Sequence, residues 1–129
     1  MQYREILTAA AALVCETVSE AQSEDYVERA PYILATCVSQ CASLDAKYRR
    51  VGGSDPIEYP KSATVSLDSE CPLLPELTPA VTFYLAAMLV IDENEVLSDK
   101  LYDLFTDQLA TLHASLPTLR EKIANKYGV

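Results

Sequence analysis

An all-α fold, a small bundle of four to five helices with a long proline-rich loop and at most one short strand or hairpin, is what the sequence predicts. Three observations predict it. Apolar residues recur at helical spacing in several separate stretches of the chain. Most of the residues that interrupt helices, two of three glycines and four of seven prolines, gather between residues 51 and 75. Half of the 129 residues are hydrophobic and only 22% are charged, the balance of a packed globular chain rather than a disordered one. A chain of this length buries about two-thirds of the surface its unfolded form exposes, so residues 1–129 are expected to form one helical domain without staples.

The first helix is expected from Tyr3 to Ala21, where Ile6, Ala10, Leu13, Val14, Val18 and Ala21 keep a 3.6-residue rhythm through an alanine-rich stretch. Ser23, followed by Glu24 and Asp25, offers an N-cap oxygen and two charges suited to the positive end of a helix dipole, so a second helix should start there. Pro31 predicts a break or kink, because an interior proline costs about 3 kcal/mol in a lost hydrogen bond and a steric clash. Beyond it, Leu34, Cys37, Cys41, Leu44 and Tyr48 draw one apolar stripe to about Arg49, and Gly52-Gly53 stops the helix.

Residues 51–75 are expected to be a loop, with only Ala63 to Leu67 alternating in the manner of a short strand. A connection this long usually has a job, such as covering a neighbour or a ligand. The third helix is predicted from Pro75-Glu76 to Ile91, and from Ala80 onward it is apolar on nearly every side. Such a helix must be surrounded, either at the centre of the domain or with one face covered by another subunit. Asp92-Glu93-Asn94-Glu95 forms a polar turn with Asp92 and Glu95 at capping-box spacing. The fourth helix follows at once, with Leu97, Leu101, Leu104, Phe105, Leu109, Leu112 and Leu116 on one stripe and Asp99, Asp103 and Asp107 on another, so the last two long helices should pair as an antiparallel hairpin. Pro117 is expected to end it, leaving residues 117–129 as a separate, more basic segment through Arg120, Lys122 and Lys126.

Composition disfavours several functions. The net charge is −9, and residues 51–95 carry one basic against eight acidic side chains. Holding nucleic acid by its phosphates needs clustered Lys and Arg, whereas this chain offers short pairs such as Arg49-Arg50, so no sequence-specific nucleic-acid binding is expected. The most apolar run, Ala80 to Ile91, falls short of the roughly 18 residues that a membrane span needs. Met1-Gln2-Tyr3-Arg4-Glu5 lacks a basic region leading into a bare apolar stretch, which predicts a reducing cytoplasm and free thiols at Cys15, Cys37, Cys41 and Cys71.

A search for chemistry favours structural readings throughout. Cys37 and Cys41 share a helix face, but structural zinc wants four nitrogen or sulfur ligands and the chain has one histidine, so core thiols are the expectation. His113, at the flank of the fourth helix, has no signature around it that would pair it with a thiol. Asp99, Asp103 and Asp107 have the spacing to converge on a hard cation, yet charges opposite an apolar stripe are ordinarily a solvated face. No nucleotide-binding, metalloprotease or nucleophile-elbow string occurs, so no catalytic residue, cofactor or metal is assigned and the chain is read as not an enzyme. Eight tyrosines against two phenylalanines and no tryptophan favour contacts, since tyrosine joins an apolar body to a polar tip. Tyr59 in the loop and Tyr127, with Leu67, Leu73, Leu74, Arg120, Lys122 and Lys126, are the interface candidates.

Several strings carry a family likeness: Glu28-Arg29-Ala30-Pro31-Tyr32, Leu44-Asp45-Ala46-Lys47-Tyr48-Arg49, Cys71-Pro72-Leu73, Tyr84-Leu85-Ala86-Ala87-Met88-Leu89, Asp92-Glu93-Asn94 and Leu97-Ser98-Asp99-Lys100-Leu101-Tyr102. From about residue 24 to 110 the chain resembles small phage and prophage proteins of the head–tail connector (adaptor) type. The resemblance implies a homo-oligomeric ring docked beneath the portal protein of a tailed phage, in contact with other connector proteins, with DNA passing through its centre and no catalytic residues. It also implies a segment, here Arg120 to Val129, that reaches toward the portal, and a location in the bacterial host cytoplasm and then in the virion. An acidic lining would let DNA slide rather than stick. Two other readings compete with this one. The first is an intracellular helical binding or regulatory module that accepts a partner helix between its second and third helices; the second is a small metal enzyme built on the aspartate ladder.

Overall fold

The computed structural model describes residues 1–14 and 20–126, with side chains described for 1–14 and 24–116. Among the described residues four α-helices follow one another: α1 (Tyr3–Leu13), α2 (Glu20–Gly52), α3 (Thr78–Leu89) and α4 (Glu95–Lys126), with a 3₁₀ turn at Pro75–Leu77 leading into α3. No strand is present among the described residues, where β-pairing is limited to an isolated bridge between Gln2 and Glu70. The all-α expectation therefore holds.

α3 is the centre. It packs against α1, α2 and α4, and Ala80, Val81, Leu85, Ala86, Ala87 and Leu89 are buried around its circumference. Of the two arrangements open to so apolar a helix, enclosure by its own chain is the one observed. The α2 stripe is also as expected: Leu34, Cys37, Cys41 and Leu44 are buried and Tyr48 is half-buried against the same core. Gly53 adopts φ +76°, a left-handed conformation that glycine takes without a Cβ clash, and the helix stops there.

Both interior prolines depart from expectation. α2 is continuous through Pro31 and α4 is continuous through Pro117. At Pro31 the missing N–H leaves a carbonyl on an exposed turn at Val27, where water can bond it, while buried Tyr26, Ala30 and Leu34 anchor the helix on both sides. Pro31 contributes in turn, its carbonyl accepting the N–H of Val65 at 3.2 Å. At Pro117 the released carbonyl belongs to exposed His113, and strong helix formers follow.

Boundaries shift for local reasons. α1 ends at Leu13 rather than Ala21, with the Val14 N–H turning back to the Ala11 carbonyl; Cys15 and Val18 lie outside the described residues. Ser23 falls inside α2, which already begins at Glu20, so it is not the N-cap. Asn94, not Asp92, caps α4: its Oδ1 accepts the Leu97 N–H at 3.0 Å and its carbonyl accepts the Ser98 N–H at 2.9 Å. Asn94→Ala is expected to cost about 1 kcal/mol, read as a lower urea midpoint with an unchanged slope.

The 54–74 connection is an irregular strap. Ala63 to Leu67 does alternate, with Val65 and Leu67 turned inward, but it pairs with no strand. Its carbonyls serve α1 instead: Leu67 and Ser69 accept the N–H groups of Arg4 (2.9 Å) and Tyr3 (3.1 Å), donors that the first turn of a helix leaves free. Surface ion pairs from Met1 to Glu70 and from Arg4 to Asp68 follow the same track.

Candidate functional site

A partly apolar surface lies between α2 and α3. A groove of about 370 Å³ is lined by Arg29, Tyr32, Ile33 and Thr36 from α2 and by Tyr84 and Met88 from α3. Tyr32 is 60% exposed. It lies off the buried stripe that begins at Leu34, and the helix turns it out. Tyr84 continues the surface onto α4 through a 6.5 Å ring contact with Tyr102, itself 40% exposed, and both rings rest on buried Phe105. Such a surface suits the apolar side of another polypeptide, since aromatic and methionine side chains are favoured where proteins meet.

Arg29 closes one end of the groove. Its guanidinium donates to the Leu89 carbonyl at 2.7 Å and to the Asp25 carboxylate at 2.8 Å, and lies 5.9 Å from the centre of the Tyr26 ring. A cation at the last carbonyls of α3 satisfies acceptors that the helix end leaves free and complements its dipole. Tyr26 joins the same corner by donating to Glu93 at 3.0 Å.

At the opposite end of α2 a buried carboxylate organises the strap. Asp45 is fully buried. It accepts from the Arg49 guanidinium at 2.7 Å, from the Leu74 N–H at 2.7 Å, and from the Tyr59 hydroxyl. Arg49 then donates to the Pro72 carbonyl at 2.7 Å. Of the interface candidates in the strap, Leu67 and Leu73 are buried in the chain's own core and are not open to a partner in this chain, while Leu74 and Tyr59 are half-buried against it and the Tyr59 hydroxyl is taken by Asp45. An apolar loop residue can serve an inner surface as well as an outer one, and here the inner surface won. The side chains of Arg120, Lys122 and Lys126, and all of Tyr127, lie outside the described residues.

Burial, with the Asp45 hydrogen bond adding to it, pushes the Tyr59 phenol up to about 12. A tyrosine raised above its unfolded value near 10 gives a stability contribution that is complete below about pH 10 and is lost as pH rises through about 12. Tyr59→Phe should therefore flatten the fall of the urea midpoint between about pH 10 and 12. An identical alkaline slope in the variant would refute the assignment.

Cys37, Cys41 and Cys71 are free thiols, the first two buried and the third half-buried. A hydrogen bond between Cys37 and Cys41 holds the Cys37 thiol well above its ordinary value and lowers Cys41, whereas burial pushes Cys71 up. Both sulfurs of the α2 pair have no exposed surface, so they act as core side chains. The Tyr3 hydroxyl nearby is buried without a hydrogen-bond partner, and burial raises its phenol too.

The aspartates of α4, Asp99, Asp103 and Asp107, are exposed, as is His113. No group of three or more His, Cys, Asp or Glu placed to hold a metal occurs among the described residues. Leu104 corrects the expected stripe, being 46% exposed although its neighbours Leu101 and Phe105 are buried. No helix among the described residues is long and apolar enough to cross a membrane. Comparison with family models, curated proteins and solved structures finds no match to this chain.

Proposed function

We propose that the chain is a structural, non-catalytic component of a phage or prophage head–tail connector, docking to a portal ring and to neighbouring subunits. The observation that carries this reading is the apolar, aromatic groove over α2 and α3, extended by Tyr102, on a chain whose long strap and central helix are already used internally. The strings that resemble connector proteins support it, and two of them, Tyr84–Leu89 and Leu97–Tyr102, form the second half of α3 and the first turns of α4. The protein would wait in the host cytoplasm and end in the virion. Removing its reading frame from an inducible element should leave filled heads and tails unjoined in electron micrographs, with joining restored when the frame is supplied from a plasmid. Joined particles in its absence would end this reading.

The same groove favours one alternative, an intracellular helical binding module that seats a partner helix between α2 and α3. Co-purification with a single soluble partner and no virion protein would select it.

A further inference from the structure

A second cavity, of about 460 Å³, lies where the C-terminal end of α2 meets the strap. Ala46, Arg49 and Arg50 of α2 form one wall, and Pro56, Ile57 and Tyr59 of the strap form the other. Both charged side chains of that lining are cations. The acids of the same stretch of strap, Asp55 and Glu58, are exposed and outside it.

The two arginines differ. Arg49 is 14% exposed, and buried Asp45 answers its charge. Its guanidinium is fixed by that carboxylate, by the Pro72 carbonyl at 2.7 Å and by the Asp55 carbonyl at 3.5 Å. Those bonds use Nε and one hydrogen on each terminal nitrogen, so each terminal nitrogen keeps a second N–H to donate. Arg50 is exposed and has no hydrogen bond or ion pair among the described residues. With Asp45 and Arg49 cancelling, the charge left over at the cavity is the positive charge of Arg50.

The end of a helix ordinarily disfavours an anion, because its last carbonyls carry the negative end of the dipole. Here Gly53, at φ +76°, turns the chain back so that the Ser54 N–H takes the Arg49 carbonyl at 2.8 Å. One of those acceptors is thereby answered. The rest of the lining is largely apolar, from the Ala46 methyl and the Ile57 chain to the Pro56 and Tyr59 rings. Apolar walls beside a few placed donors are what a small-molecule site needs, and an uncompensated guanidinium selects an anion. Bare phosphate would leave the walls unused.

We infer that the cavity between α2 and the strap binds a small amphipathic carboxylate, its apolar body between Ala46 and Ile57 and its carboxylate on Arg50, with Arg49 held in place as a second donor. This site goes beyond the connector reading and stands or falls without it. A ligand there touches both walls, so it would hold the strap to α2 and stabilise the folded chain by mass action.

2-Naphthoate is the probe, with its uncharged amide and inorganic phosphate as controls. Titrated into the full-length chain and followed by amide and methyl NMR, naphthoate should saturate with a Kd on the order of 0.1–1 mM and shift Ala46, Arg50 and Ile57. The amide and phosphate should each bind at least about fivefold more weakly, since each lacks half of the match. Arg50→Gln changes an exposed side chain, so the fold should survive, as circular dichroism checks. It should weaken naphthoate by about threefold to tenfold and leave the amide unchanged. Ala46→Leu narrows the cavity and should weaken both; if that variant misfolds, the Arg50→Gln comparison decides alone. No saturable shift by about 10 mM naphthoate, an amide that binds as well as the acid, an unchanged Kd in Arg50→Gln, or shifts centred on the α2–α3 groove would each overturn the site.

Discussion

Asp45→Ala should destabilise the protein by about 3–5 kcal/mol, because a buried ion pair that loses one partner strands the other. The carboxylate is fully buried and holds three donors, so its removal leaves Arg49, which is 14% exposed, the Leu74 N–H and the Tyr59 hydroxyl without their acceptor. Asp45→Asn keeps the size and part of the bonding and should cost less. Replacing Asp45 and Arg49 together by apolar residues of similar volume should recover part of the loss, since two absent charges are cheaper than one unpaired. Urea melts of all three variants decide it. If Asp45→Ala lies within 1 kcal/mol of wild type by order of magnitude, the strap is not held through this carboxylate.

Leu85→Ala should cost about 2–5 kcal/mol, while Leu104→Ala should stay within roughly 0.5 kcal/mol. Leu85 has no exposed surface on a helix enclosed by three others, whereas Leu104 is 46% exposed on α4. Truncation at the first site leaves a cavity that packed neighbours cannot fully close; at the second, solvent takes the space. The pair discriminates between a hairpin enclosed within a single molecule and one needing a neighbour. Comparable losses at both sites, independent of protein concentration, would contradict the burial described for α4. A concentration-dependent loss at Leu104 alone would place that residue in a subunit contact.

The helices were legible because burial repeats along the sequence. Leu34, Cys37, Cys41, Leu44 and Tyr48 announce their shared face by spacing, and all five turn toward the core. What was not legible depended on partners far away in the chain. Pro31 and Pro117 read as interruptions because their local cost is real, but the packing on either side of Pro31 is not written in its neighbours. Asp45 did leave a signal: it stands one turn after Cys41, a charge set into an apolar stripe, with Arg49 one turn further to pair it. The groove was half legible. Tyr32 falls off the stripe and is exposed, yet α3, apolar all round, gives no hint that Met88 is partly open and that buried Tyr84 forms the floor of the groove. The loop leucines show the same limit from the other side, since hydrophobicity alone does not say which way a strap faces.

The strap's carbonyls at Leu67 and Ser69, which complete the first turn of α1, set a schedule for the nascent chain. α1 leaves the ribosome before the strap and α3, yet its capping acceptors and its packing partner α3 are made more than 60 residues later. Contacts of that sequence separation close slowly because the intervening chain must first be ordered. We therefore expect α1 to be the last helix to gain protection in pulsed hydrogen exchange, after the amides of the α3–α4 hairpin; earlier protection of Ile6 and Ala10 would contradict it.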